Sequence, residues 1–230
     1  MKILLMTGTI KPLVNVKHCN PEIRLKEYVD NITRYICSSN FDVIIFAENS
    51  GYSFDYKKYE EMAKSKGKVF EYLDVSNVSD NCNMSTGEAY LMKEAYLKSA
   101  YLKNTDSFWK VTGRIYIKNI NKYVNNENNT NMFLYSKQYD SIQTWFFRAN
   151  TNDFMDCFLN DTTINKMYDS CIEYAFMDCF RSNKNIHIDS FKTYPNALGI
   201  NSSGVPYTLS PLKYLLKNIA LKFGYFSVKR

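Results

Sequence analysis

The segment Phe41 to Ala47, FDVIIFA, constrains this chain more than any other. Successive residues of a strand point to opposite faces, and here both faces are apolar, so both must be covered. Such a strand belongs in the interior of a parallel sheet with helices on either side. The neighbouring segments supply those partners. Lys2 to Met6, closed by Thr7-Gly8-Thr9, reads as a first strand, Lys68 to Leu73 as a third and Phe108 to Val111 as a fourth. Asn20, Pro21 and Glu22 open a helix to about Cys37, with Ile23, Tyr28, Ile32, Tyr35 and Ile36 at near-helical spacing. Asp55 is read as the cap of a helix that Gly67 stops. Thr86-Gly87-Glu88 opens another, with Ala89, Met92, Tyr96 and Ala100 expected to face the sheet. This alternation predicts a ligand site at the carboxyl ends of the parallel strands.

The pattern changes after Ile120. An asparagine-rich loop, Asn125 to Asn131, leads to two strands, Met132 to Ser136 and Ile142 to Ala149, too close together for a helix between them, which makes them antiparallel. Helices are expected near Asp153 to Leu159 and Ile164 to Arg181, followed by a turn-rich segment with Pro195, Gly199, Gly204 and Pro206. Ser210-Pro211 caps a last helix on which Leu212, Leu215, Leu216, Ile219, Ala220 and Phe223 share a face flanked by Lys213, Lys217 and Lys222. A basic amphipathic helix reads either as membrane-interface binding, aided by Lys229 and Arg230, or as a terminal helix docked on the sheet.

The 230 residues suit one large domain, and 45% hydrophobic with 23% charged residues excludes disordered, collagenous and coiled-coil classes. No apolar run is long enough to span a bilayer, and Thr7-Gly8-Thr9 follows Met1 too soon for a signal peptide, so the chain is expected in the cytoplasm. Six cysteines without a CxxC pair, and only two histidines, His18 and His187, argue against a zinc site or disulfide framework. The cysteines are expected to be reduced and mostly buried. A net charge of +6 fits nucleic acid, a membrane surface or an anionic ligand, but no RNP, helix-turn-helix or zinc pattern accompanies it.

Neither GxGxxG, nor GxxxxGK[ST], nor a GxSxG elbow occurs. The informative segment is Ser107 to Ile120, SFWKVTGRIYIKNI. A strand that should be buried carries Lys110 and ends in Thr112-Gly113-Arg114, which places two cations at the expected crevice. Burial of cations is costly without an anion, and a guanidinium beside a glycine suits a diphosphate. The alternative is a salt bridge from Arg114 to a helix carboxylate. Likewise, Gly87 lies either at a phosphate-binding helix N-terminus or at an ordinary cap.

The Thr-Gly strand end, Asn-Pro-Glu-Ile-Arg-Leu-Lys-Glu-Tyr on the first helix, Phe-Ala-Glu-Asn-Ser-Gly after the second strand and Phe-Trp-Lys-Val-Thr-Gly-Arg together resemble small bacterial glycosyltransferases of capsule and lipopolysaccharide gene clusters. The resemblance covers roughly residues 1 to 120 and implies an α/β, GT-A-like single domain, a mostly parallel central sheet flanked by helices, with the C-terminal amphipathic helix appended. It divides the chain into a nucleotide-sugar-binding half (1–120), an acceptor half (121–209) and the terminal helix (210–230). Lys-x-Thr-Gly-Arg occupies the slot where such enzymes carry the metal-holding Asp-x-Asp. No cofactor is therefore expected, with Mn²⁺ or Mg²⁺ left open. The implied donor is a nucleotide-diphosphate sugar, a UDP-sugar by expectation. Lys110, Thr112, Gly113, Arg114 and Gly87 would face its diphosphate, and Thr7, Gly8, Thr9, Arg24, Glu48, Ser50 and Gly51 its nucleoside. Glu48 is otherwise the cap of the next turn. Catalytic candidates are Arg114 for leaving-group charge and Glu173, then Asp140, as general base. Expected partners are a glycan or lipid-linked acceptor and an anionic membrane surface, peripheral to the cytoplasm; nucleic acid is not expected, and the oligomeric state stays open. A non-catalytic nucleotide- or glycan-binding module and, behind it, a nucleic-acid-binding protein are the rival readings.

Overall fold

The computed structural model describes residues 1–12, 16–76, 83–125, 130–201 and 204–228. Cys82, most of the asparagine-rich loop, Lys229 and Arg230 lie outside the described residues. Strands β1 (Ile3–Gly8), β2 (Val43–Glu48), β3 (Val69–Asp74) and β4 (Ser107–Thr112) run parallel, joined through α1 (Pro21–Ser38), α2 (Lys57–Ser65), α3 (Met84–Lys98) and the short α4 (Ala100–Lys103). Beyond them come β5 (Tyr116–Ile117), α5 (Asn121–Val124), β6 (Asn131–Ser136), β7 (Ser141–Asn150) and α6 (Thr151–Asp153) with a π-helical turn, Phe154–Phe158. The chain continues through α7 (Asp161–Lys166), α8 (Ile172–Ser182), β8 (Ile188–Asp189), β9 (Ala197–Leu198) and α9 (Pro211–Lys222). The main sheet has the order β3-β2-β1-β4-β7-β6-β8, with β7 antiparallel to both β4 and β6, while β5 and β9 form a separate pair.

The alternation of β1 explains why its run is continuously apolar. Ile3 and Leu5 join one buried cluster with α3, α8 and the π-helical turn, while Leu4 and Met6 join another with α1 and α2. Both faces are thus covered, as the pattern of β2 also requires.

Local hydrogen bonding moves several boundaries. Asn83, not Thr86, caps α3: its side chain accepts from the Ser85 and Thr86 N–H groups, each at 2.9 Å. That helix stops at Ser99, whose hydroxyl recaps α4 by accepting from Leu102 N, so Ala100 is exposed and Ala95 takes the core position. The expected helix from Ile164 to Arg181 is broken, because the Met167 carbonyl accepts from Asn83 Nδ2 at 2.8 Å and a new helix starts at Ile172. Ile23 is 51% exposed while Arg24 beside it is buried, since Arg24 turns inward to bind loop carbonyls. No side chain caps α2, so Asp55 has no capping role there. Among the described cysteines none is fully buried, and Cys19 and Cys37 are exposed.

The tyrosines predict the alkaline limit of the fold. Burial raises the hydroxyls of Tyr35, Tyr72 and Tyr123 above their ordinary value and pushes Tyr194 and Tyr207 up to about 12. In the unfolded chain each ionises near about pH 10, so the folded state holds the protons more tightly. Their contribution to stability is complete below about pH 10 and is lost as the pH rises toward and through the folded values. Urea melts at rising pH, read with tyrosinate absorbance, should show stability falling above about pH 10. Ionisation of these tyrosines near pH 10 with unchanged stability would refute the assignment.

Candidate functional site

In the sheet β1 is flanked by β2 on one side and β4 on the other, so the strand order reverses between β1 and β4. Crevices of open α/β sheets form outside the carboxyl ends at such a switch point. A cavity of about 460 Å³ opens there. Its walls come from the end of β1 (Thr7, Gly8, Thr9), the loop after β2 (Asn49, Ser50), and Thr112 and Arg114 at the end of β4. The first turns of α3 and α8, Thr144 and Trp145 of β7, and Tyr207 complete it.

Two guanidinium groups stand in one wall. Arg24 is buried and donates to the carbonyls of Thr9 and His18, which ties the loop after β1 to α1. Burial lowers its pKa from the ordinary value, and the neighbouring Arg114 charge works in the same direction. Arg114 is 4% exposed, and among the described residues its ion-pair partner is Glu27 at a long 3.5 Å. Glu27 is itself shared with His18 at 3.0 Å. Among the described residues Arg114 Nε is a buried donor with no hydrogen-bond partner. An unsatisfied N–H on a charged group carries a desolvation cost of about 1 to 3 kcal/mol or more, which an anion in the cavity would relieve.

Lys110 sits beneath the cavity rather than in it. It is fully buried, donates to the Thr144 carbonyl at 2.9 Å and forms an ion pair with Glu88. Thr144 in turn donates from Oγ1 to Glu173 at 3.1 Å. One ammonium therefore anchors two cavity-lining carboxylates, Glu88 directly and Glu173 through Thr144. Glu173 lies in the first turn of α8, where the positive end of the helix dipole favours its charge. The Tyr207 hydroxyl lies within the fields of Glu88, Glu173 and Arg114; burial first, and then the two carboxylates, keep it protonated.

Of the residues singled out from the sequence, Thr7, Gly8, Thr9, Arg24, Ser50, Gly87, Thr112, Arg114 and Glu173 line this cavity. Others have different places. Glu48 is fully buried and caps the local loops, accepting from the N–H groups of Ile10 at 2.8 Å and Ser50 at 3.0 Å, as the cap reading of this residue expects. Gly51 forms a left-handed turn (φ 64°) outside the cavity lining. Gly113 is required by packing: a Cβ there would lie 2.9 Å from the Tyr28 ring and 3.0 Å from the Thr7 carbonyl. The Gly87 N–H bonds the Asn83 carbonyl at 2.9 Å, and the Asn83 side chain holds the two preceding N–H groups, so the start of α3 has these donors already occupied. Asp140 is exposed at the β6–β7 turn, paired with Arg181 at 2.7 Å and Tyr135 at 2.6 Å, and does not line the cavity. Those contacts hold its carboxyl below the ordinary range, Arg181 most strongly. Sequence reasoning missed Glu88, Thr144 and Tyr207, whose roles arise only from contacts between distant segments.

No protein family and no curated protein matches the sequence. Solved structures do match in three dimensions. A protein described as a nucleotide-diphospho-sugar transferase from Desulfovibrio desulfuricans G20 superposes with a TM-score of 0.50 at 10% identity, over 83% of this chain and 79% of that one. The fold is that of nucleotide-diphospho-sugar transferases. Core-mannan synthase A from Aspergillus fumigatus, in a form with Mn and GDP, gives the same TM-score and 10% identity over 100% of this chain and 86% of its own. Within the shared GT-A-like fold, the end of β4 in this chain carries Thr112, Gly113 and Arg114. Among the described residues no group of three or more His, Cys, Asp or Glu could hold a metal. Arg114 instead presents a positive charge with an unsatisfied donor, and Glu88 is already compensated by Lys110.

Proposed function

We propose that the chain is a glycosyltransferase that moves a sugar from a nucleotide diphosphate, a UDP-sugar, to a glycan acceptor of a bacterial surface polysaccharide. The observation that carries this reading is the buried, unpartnered Nε of Arg114 at the switch-point cavity of a nucleotide-sugar transferase fold. In this reading the acceptor hydroxyl attacks the anomeric carbon as the bond to the diphosphate breaks. Arg114, with Arg24 beside it, stabilises the charge that develops on the leaving diphosphate. Glu173, held by Thr144, takes the acceptor proton, and neutral Tyr207, which lines the same cavity, donates a hydrogen bond to the leaving diphosphate.

Donor binding should not depend on a metal. UDP at about 100 times its Kd stabilises the native state by about 2.7 kcal/mol, a rise in Tm of roughly 5 to 10 °C for a chain of this length. The shift is expected undiminished in EDTA. Stabilisation that appears only with Mn²⁺ or Mg²⁺ would overturn this view of the site. Incubation with a panel of nucleotide sugars and an acceptor mixture, read by mass spectrometry, tests the reaction itself. Binding without transfer or donor hydrolysis would favour a nucleotide-binding module instead.

A further inference from the structure

The charge of this chain is strongly segregated. All 23 acidic residues lie at or before Asp189, where 23 of the 29 basic residues balance them. After Asp189 come Lys192, Lys213, Lys217, Lys222, Lys229 and Arg230 with no acidic residue, so the stretch after Asp189 carries the whole net charge of +6.

The same stretch holds the largest concentration of exposed apolar side chains. The inner face of α9 is already packed: Leu221 is buried, Asn218 accepts from Tyr194 N at 2.9 Å, and Lys217 donates to the Tyr194 hydroxyl at 2.8 Å with its ammonium over that ring. Lys217 therefore faces the protein instead of flanking the outer face. On that outer face Leu212, Leu215, Leu216, Ile219 and Phe223 follow helical spacing and are 66%, 56%, 55%, 44% and 86% exposed. Exposed apolar residues before Val205 are scattered. A contiguous apolar patch rimmed by cations is unusual on a folded surface and marks a docking site.

We propose that this outer face of α9 docks on an anionic lipid surface, with Leu212, Leu215, Leu216, Ile219 and Phe223 entering the interface and Lys213 and Lys222 meeting the headgroups. Two signals, apolar burial and a basic fringe, are what stable interfacial attachment needs. A second copy of the chain fits poorly, because pairing two such faces would bring Lys213 and Lys222 of both copies together with no acidic residue on the helix to offset them. No helix among the described residues is long and apolar enough to cross a membrane, so attachment would lie in the interface plane. The inference does not depend on the proposed reaction. It adds that Tyr207 of the cavity stands three residues before the Ser210 cap of α9, which would hold a lipid-borne acceptor at the same surface.

Sedimentation of the full chain with vesicles tests this. Binding is expected to vesicles of phosphatidylcholine mixed with phosphatidylglycerol, to weaken with salt, and to be far lower on phosphatidylcholine alone. Leu215→Ser with Leu216→Ser should lower binding about a hundredfold, since each leucine loses its apolar transfer. Lys213→Gln with Lys222→Gln should lower it about thirtyfold on the anionic vesicles. Melting temperatures should stay unchanged, because these side chains are exposed. Absence of binding to anionic vesicles, or equal binding to both compositions at every salt concentration, overturns the proposal. So does unfolding of the leucine variant, which would show the face covered within the chain, or a dimer that this variant dissociates.

Discussion

Arg114→Ala is expected to lower kcat/KM for the proposed sugar transfer by about 10² to 10³, the usual cost of one preorganised donor to developing negative charge, and to leave the melting temperature nearly where it was. The separation of the two effects follows from the surroundings of the guanidinium. Its ion pair with Glu27 is long, at 3.5 Å, and Glu27 is 24% exposed and keeps His18 at 3.0 Å. Removing Arg114 therefore does not strand a dry carboxylate, and the stability cost should be about 1 kcal/mol rather than the 3 to 5 kcal/mol of a broken buried pair. Kinetics and thermal melts on one sample decide the matter. A variant that stays active and melts early would make Arg114 a structural ion-pair partner, the alternative its sequence context left open.

Lys110→Met should behave in the opposite way and lose both stability and transfer. The ammonium is fully buried, and its removal leaves Glu88 without its counter-charge and the Thr144 carbonyl without a donor. A loss of about 3 kcal/mol is expected, or roughly 6 to 12 °C in Tm. Adding Glu88→Gln should restore part of the stability, because the uncompensated charge is gone, but not the transfer, because Thr144 and Glu173 stay unanchored. An unchanged Tm for Lys110→Met would show that the ion pair contributes nothing. Recovery of transfer in the double variant would remove Glu88 and the anchoring of Glu173 from the site.

Glu48, Gly113 and Lys110 share a pattern. Each is chemically out of place in an apolar strand or at its end, which is what points to a partner there. Each has partners within the protein: Glu48 staples loops, Gly113 admits the Tyr28 ring, and Lys110 anchors Glu88 and Thr144. An unusual residue in a strand signals that a partner exists without saying whether that partner is a ligand. Asp140 shows the converse. It directly precedes a strand of the second half, yet its turn lies outside the cavity and its carboxylate meets Arg181.

By itself the sequence determined strands β1 to β4, β6 and β7, the helices that join the parallel strands and the end of the sheet at which a cavity forms. Apolar periodicity and chain direction are local properties, and parallel strands joined by helices place their carboxyl ends together. Thr7, Thr112 and Arg114 could be placed at that cavity for this reason alone. The tertiary structure decided which charges remain free there. Lys110 meets Glu88 across 22 residues, Glu173 meets Thr144 across 29, and Arg114 falls short of a close pair with Glu27 across 87. It also decided that α9 turns Lys217 inward and its leucines outward. Spacing along the chain limits only what neighbouring turns can touch, whereas pairing and exposure depend on distances set by the packing of the whole sheet.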